Sequence, residues 1–212
     1  FYAPYSDRLC FSHAFLGRVR YMPESERGEG NAGASGTLSY HRISGTGVDI
    51  MLVKIYTDGA ARGNPDGPGG YGTILSCVDA KGEEHIREYS QGYKKTTNNR
   101  MELMAAIAGL EALNRPCQVE LYSDSKYLVD AFNQHWIDSW IKKNWVNSQK
   151  KPVKNPDLWK RLLKAKEPHL VKFIWVKGHD GHPQNERCDE LATAAADGDD
   201  LIEDVGMHLQ DD

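Results

Sequence analysis

The chain has 212 residues, 40% of them hydrophobic, enough to bury the core of one globular domain without covalent staples. Its four cysteines, Cys10, Cys77, Cys117 and Cys188, form no Cys-x-x-Cys pair, which argues against a zinc knuckle and a secreted disulfide scaffold and fits a reducing compartment. The formal net charge of -4 is unevenly spread: residues 1–50 hold 5 basic and 5 acidic side chains and residues 197–212 hold 7 acids with no Lys or Arg, so of 26 basic and 30 acidic residues 21 and 18 fall in residues 51–196, a net of +3 that leaves a nucleic-acid partner open.

Residues 1–50 carry no sustained period of 2 or 3.6. The glycine-rich run from Gly28 to Gly36 gives them linker composition, so they read as a mostly disordered N-terminal extension, with Met51 as a plausible natural start. From Leu52 the pattern sharpens. Leu52 to Asp58, Tyr71 to Val78 and His85 to Tyr93 read as three strands whose short, turn-rich connections imply antiparallel neighbours. Met101, Met104, Ala105, Ala108 and Ala112 then recur on one helical face. Gln118 to Ser123 is a fourth strand, Ser125 to Phe132 and Asp157 to Lys166 are helices, and Leu170 to Val176 is a fifth strand. Pro183 to Ala196 is a last helix with proline in its first turn. Strands separated by helices pair in parallel through right-handed crossovers. The expected architecture is α/β, a mixed five-stranded sheet of three antiparallel and then two parallel strands, flanked by helices. Residues 197–212 form an acidic tail expected to be solvated.

Four acids stand in distinctive local patterns: Asp58 in Tyr56-Thr57-Asp58-Gly59, Glu102 in Asn98-Asn99-Arg100-Met101-Glu102-Leu103, Asp124 in Tyr122-Ser123-Asp124-Ser125, and Asp189 in Asn185-Glu186-Arg187-Cys188-Asp189-Glu190. Each has an ordinary reading. Asp58-Gly59 can start a turn, Asp124 can cap a helix, Glu102 can close a capping box begun by Asn99, and Asp189 can sit on a solvated face. Their conjunction points elsewhere. Asp58 and Asp124 end two strands that can lie side by side, where open α/β sheets bind ligands. Acids converging there need a cation between them to remain ionised, and an oxygen-only ligand set suits a hard divalent ion rather than zinc.

With these segments in order, the region from about Met51 to Ala196 resembles the bacterial type of ribonuclease H, which cuts the RNA strand of RNA·DNA hybrids. The resemblance is carried by Tyr56-Thr57-Asp58-Gly59, Gly63-Asn64-Pro65, Gly69-Gly70-Tyr71-Gly72, Thr97 through Leu103, Tyr122 through Ser125, Lys151 through Asn155, Trp175 through His179, and His182 through Ala192. It implies the ribonuclease H-like fold and a two-metal-ion endonuclease that leaves 5′-phosphate and 3′-hydroxyl ends. Asp58, Glu102, Asp124 and Asp189 would hold two Mg²⁺ ions, with Mn²⁺ as a substitute, about 3.5 to 4 Å apart across the scissile phosphate. His179 matches a histidine that assists proton movement or product release. Gly59, Asn64, Asn98, Asn99 and Lys126 would contact the RNA strand. Lys126 stands where many relatives carry glutamine; because lysine cannot accept a hydrogen bond, a phosphate contact takes the place of the amide contact. Thr97 and Asn155 match a phosphate pocket for the DNA strand. Trp140, Lys142 and Lys143 lie in an aromatic and basic stretch between Trp136 and Trp159 that fits a helical protrusion clamping that strand.

Two other readings are a binding module of the same fold without catalysis and a DNA-acting recombinase. No acid is missing to favour the first; Asn98-Asn99 and the basic protrusion count against the second. No apolar run approaches the roughly 18 residues of a membrane-spanning helix and no signal peptide is evident. A cytoplasmic monomer with no membrane partner is therefore expected.

Overall fold

The structure is a computed structural model that describes residues 18–20, 50–63, 67–178 and 180–207. Its elements in chain order are β1 (Arg18–Arg20), β2 (Leu52–Ala61), β3 (Gly69–Val78), β4 (Glu84–Tyr93), α1 (Asn98–Glu111), β5 (Gln118–Ser123), α2 (Lys126–Asn133), α3 (Trp136–Lys142), α4 (Pro156–Lys166), β6 (Leu170–Trp175), α5 (Pro183–Ala196) and β7 (Leu201–Ile202). The sheet runs β1-β4-β3-β2-β5-β6, with β7 also paired to β4. The hairpin ladders β2·β3 and β3·β4 are antiparallel, and the crossovers through α1 and through α2 to α4 make β2·β5 and β5·β6 parallel.

The five expected strands are β2 to β6, and the change from antiparallel to parallel pairing falls at β2 as expected. Two corrections concern the β4 edge. Three residues of the expected extension, Arg18–Arg20, pair antiparallel with β4, and Leu201–Ile202 of the expected solvated tail pair with it in parallel. Strands of three and two residues show too little alternation to be read from sequence. The rest of residues 1–49 lies outside the described residues.

The core is built around α1, whose residues Arg100 through Leu110 are all buried, because one side of it lies on β2 and β3 and another on α4. Such a helix is apolar nearly all round rather than striped. On the sheet, Gly109 of α1 sits over Ile55 and Thr73, whereas the α5 backbone at Cys188 lies over Gly72. Successive residues of a strand face opposite sides, so α1 and α5 cover opposite faces. A second cluster of rings ties α2, α3 and α4 together: Trp159 meets Tyr127, Phe132 and Trp140 edge-on at 5.2, 6.1 and 5.5 Å between centroids.

The basic stretch is only partly helical. After α3, the backbone takes left-handed conformations at Asn144, Trp145, Lys150 and Asn155, and a single antiparallel bridge joins Val146 to Pro152. The helical protrusion expected over Trp136 to Trp159 is thus one short helix followed by an irregular loop, packed down by Trp140 and Trp145.

Candidate active site

Register brings the first two acids together. The parallel β2·β5 ladder ends at the pair Thr57↔Ser123, so Asp58 and Asp124 each follow the last paired residue. β2 itself continues to Ala61 along β3, which places Asp58 within a strand rather than at the strand end expected from sequence. Thr57 Oγ1 donates to the carbonyl of Tyr122 at 3.2 Å, and Ser123 Oγ accepts from the Ser125 amide at 3.1 Å. These two buried hydroxyls fix the turn on which Asp124 stands.

Glu102 arrives from α1. That helix is capped by Thr97, whose side chain accepts from the Arg100 amide at 3.3 Å, so the alternative of a capping box begun by Asn99 does not apply. Gly59 is what permits the meeting. A β-carbon there would stand 2.5 Å from the Glu102 amide nitrogen and 2.6 Å from the Met101 carbonyl carbon, closer than real contacts allow. Only glycine lets the first turn of α1 press onto β2.

As a result, carboxylate oxygens of Asp58, Glu102 and Asp124 all lie within 4.8 Å of one another. Burial, then the Asp124 charge, then Asp189 push the Asp58 carboxyl up to about 7, against the pull of the Gly59 amide that donates to its Oδ1 at 2.7 Å. Burial and the charges of Asp58 and Asp124 likewise hold Glu102 well above the usual carboxylate range. The Asn98 side chain, whose Nδ2 donates to Glu102 Oε1 at 3.4 Å, and the Gly59 amide oppose that rise, but among the described residues Glu102 Oε2 is buried without a hydrogen-bond partner of its own. A buried carboxylate oxygen left orphaned among other carboxylates is what a cation site presents when its protein ligands alone are in view. The donor set is all oxygen, matching a hard divalent ion.

Asp189, on α5, is partly exposed and stands outside that tight group, though near enough to raise Asp58. The loop after β6 closes the other side: a β-carbon on Gly178 would lie 2.4 Å from Asp124 Oδ2. Trp175, at the end of β6, is exposed and donates from Nε1 to the Asp124 carbonyl at 3.0 Å. Lys126 is exposed, with Nζ 5.2 Å from the Trp175 ring centroid, a cation–π contact that parks the ammonium beside the acids. Gly178 and Trp175 had a sequence signal in the Trp175 to His179 motif, but only proximity reveals their contact with Asp124.

Thr97 and Asn98 are half-buried and Asn99 is exposed, all at the start of α1 beside Glu102. Asn155 is buried; its Nδ2 donates to Tyr127 Oη at 3.2 Å and its Oδ1 accepts from Arg100 Nη1 at 3.4 Å. Trp140 is half-buried against Trp159, whereas Lys142 and Lys143 are exposed at the end of α3. His179 and Asn64 lie outside the described residues.

A second group that could hold a metal, Asp79, Glu83 and His85, belongs to the β3–β4 turn at the far end of the sheet. Asp79 already accepts from the Lys81 and Glu83 amides and pairs with His85 at 2.9 Å, so the turn accounts for the group. No helix among the described residues is long and apolar enough to cross a membrane.

Comparison with known proteins agrees with this geometry. Residues 51–197 match the sequence profile of the RNase H family. The chain is 75% identical over 154 residues to a ribonuclease H of Lachnoclostridium phytofermentans, covering 73% of this chain and 98% of that protein. It is 54% identical over 158 residues to a ribonuclease H of Desulforamulus reducens, covering 74% of this chain and 96% of that one. Among solved structures it resembles LC9-RNase H1, described as a type 1 RNase H with the type 2 active-site motif, with a TM-score of 0.65, 31% identity, and coverage of 71% of this chain and 74% of the other. A profile match from β2 to the end of α5, joined to relatives this close along nearly their full length, places the chain in the ribonuclease H family.

Proposed function

We propose that this chain is a divalent-metal-dependent endonuclease that hydrolyses the RNA strand of RNA·DNA hybrids, leaving 5′-phosphate and 3′-hydroxyl ends. The observation that carries this reading is the meeting of Asp58, Glu102 and Asp124 with an orphaned, buried Glu102 oxygen, in a chain of the ribonuclease H family. Water adds across the phosphodiester: a new phosphorus–oxygen bond forms, the bond to the 3′ oxygen breaks, and the 3′ oxygen takes up a proton.

Asp58, Glu102 and Asp124, with Asp189 beside them, would hold Mg²⁺ or Mn²⁺, two ions when substrate is bound. Those ions supply Lewis-acid stabilisation of charge on phosphate oxygens. The chain's own groups position the hybrid. Gly59, Asn64, Asn98 and Asn99 read the RNA backbone and its 2′-hydroxyls, which distinguish RNA from DNA. Lys126 leaves the Trp175 ring to meet a phosphate. Thr97 and Asn155 border a pocket for a DNA phosphate, with Lys142 and Lys143 supplying further charge and Trp140 bracing the end of α3 that carries them. His179 moves a proton at the scissile phosphate. A monomer in the cytoplasm suffices for this chemistry.

The test is cleavage of end-labelled RNA·DNA hybrid, duplex DNA and duplex RNA with Mg²⁺ present. Cutting confined to the RNA strand of the hybrid, and lost in Asp58→Asn and Asp124→Asn, is expected. Equal cutting of duplex DNA, or a fully active Asp58→Asn protein, would refute the proposal.

A further inference from the structure

The acidic residues after α5 look from sequence like a solvated end, yet one of them is among the best-bonded carboxylates described. Asp204 is 8% exposed. Its Oδ2 accepts from Arg100 Nε at 2.6 Å and from Thr96 Oγ1 at 2.7 Å, and its Oδ1 accepts from Arg100 Nη2 at 2.7 Å and from the Gly206 amide at 3.3 Å. Arg100 is 1% exposed, and its remaining donors reach Asp157 at 2.8 and 3.1 Å and Asn155 at 3.4 Å. The segment is further fixed by β7 pairing with Gly92 and Tyr93, by the Lys94 amide donating to the Ile202 carbonyl at 2.9 Å, and by burial of Met207.

The position of these bonds matters more than their number. Thr96 immediately precedes the α1 cap, and Arg100 lies in the first turn of that helix, two residues before Glu102. The same turn carries Asn98, whose amide holds Glu102 Oε1. Asp204 therefore grips the start of α1 on both sides of Thr97, through Thr96 and Arg100. Glu102 lies one turn along from the residues that Asp204 bonds, so a shift of that first turn would carry Glu102 relative to Asp58 and Asp124.

The geometry points to Asp204 as a positioning residue for the metal site: residues 201–207 form a strap that, through Arg100 and Thr96, sets where the first turn of α1 presents Glu102. This deepens the metal-site reading above and rests on it. Asp204 touches neither substrate nor cation, and its effect passes through Arg100. Groups hydrogen-bonded directly to metal ligands change metal affinity by about 10- to 100-fold when removed; Asp204 acts one contact further out, through Arg100, so the lower end of that range is expected.

The test uses the full chain. Mn²⁺ affinity is measured by calorimetry, and the Mg²⁺ concentration for half-maximal hybrid cleavage is measured alongside. In Asp204→Asn both are expected to shift about 10-fold toward weaker binding. Asp204→Glu should recover much of the loss, and Thr96→Val, which removes one bond and keeps the shape, should give a smaller shift in the same direction. Leu75→Ala, a core substitution on β3 remote from the acids, supplies a comparable fall in Tm with no change in Mn²⁺ affinity. If Asp204→Asn does not fold, Thr96→Val decides. Unchanged metal affinity in folded Asp204→Asn or, failing that, in Thr96→Val, or an equal shift in Leu75→Ala, overturns the strap. A wild-type chain that neither binds Mn²⁺ nor cuts hybrid overturns the metal-site reading and the strap together. A wild type that does both, with variants that match it, overturns the strap alone.

Discussion

Asp58→Asn should make the metal-free protein more stable at pH 8 while abolishing cleavage. Asp58 is buried against Asp124 and Asp189, and its carboxyl is pushed up from 3.8 to about 7. Between those values the folded chain binds a proton that the unfolded chain has released. The stability that this proton contributes is present below pH 3.8 and is lost as pH rises through about 7. At 1.36 kcal/mol per pH unit the full loss is about 4 kcal/mol, an upper bound because Glu102 shares the same field and its own protonation relieves it. Asparagine keeps the oxygen that accepts from the Gly59 amide and carries no charge, so it is spared the loss.

The assay is urea unfolding of both proteins with a chelator at pH 4 and pH 8. The gap between them should widen by about 2 to 4 kcal/mol toward alkaline pH, a comparison that cancels any effect of shape. Saturating Mg²⁺ should stabilise the wild type at pH 8, by about 2.7 kcal/mol at 100 times its dissociation constant, and leave the variant nearly unmoved. A gap that does not change with pH would falsify the claim that burial, with the Asp124 and Asp189 charges, holds the Asp58 carboxyl up in the folded protein.

Gly59→Ala should cost about 1 to 3 kcal/mol by overpacking and lower kcat more than it raises KM, because the new methyl must push the Glu102 turn away from Asp58; thermal melts and steady-state kinetics check both. Arg100→Met should destabilise by about 3 to 5 kcal/mol in chemical unfolding, since it leaves Asp204 and Asp157 buried or half-buried without their cation. Replacing Lys142 and Lys143 by alanine should weaken hybrid binding at low salt and flatten the log-log salt dependence by roughly 0.7 to 0.9 for each phosphate that is no longer neutralised, read by anisotropy titrations; an unchanged slope would mean that the end of α3 does not touch the substrate.

What could be read from the chain alone follows the range of the forces involved. Alternation in β2 to β4, turn residues between them, the helical spacing after Met101 and the proline at the start of α5 are local signals, and the corresponding elements form within a few residues of their expected bounds. The acids were visible because each sits in a local motif, and their meeting was arguable because β2 and β5 had to lie side by side. The remainder depends on contacts that no local pattern encodes. The three-residue strand at Arg18–Arg20 exists only by pairing with a neighbour already in place. Asp204 looks like any other acid in a charged tail, and becomes a buried ligand of Arg100, 104 residues away in sequence, only when β7 has docked. Sequence by itself determined β2 to β6, the helices α1, α2, α4 and α5 and their order, because these follow from hydrophobic period and turn chemistry, and it singled out the four acids by the motifs around them. Only the tertiary structure decided which acids touch, which glycine lets them do so and which distant carboxylate holds them there, because those depend on distances between segments that share no local pattern.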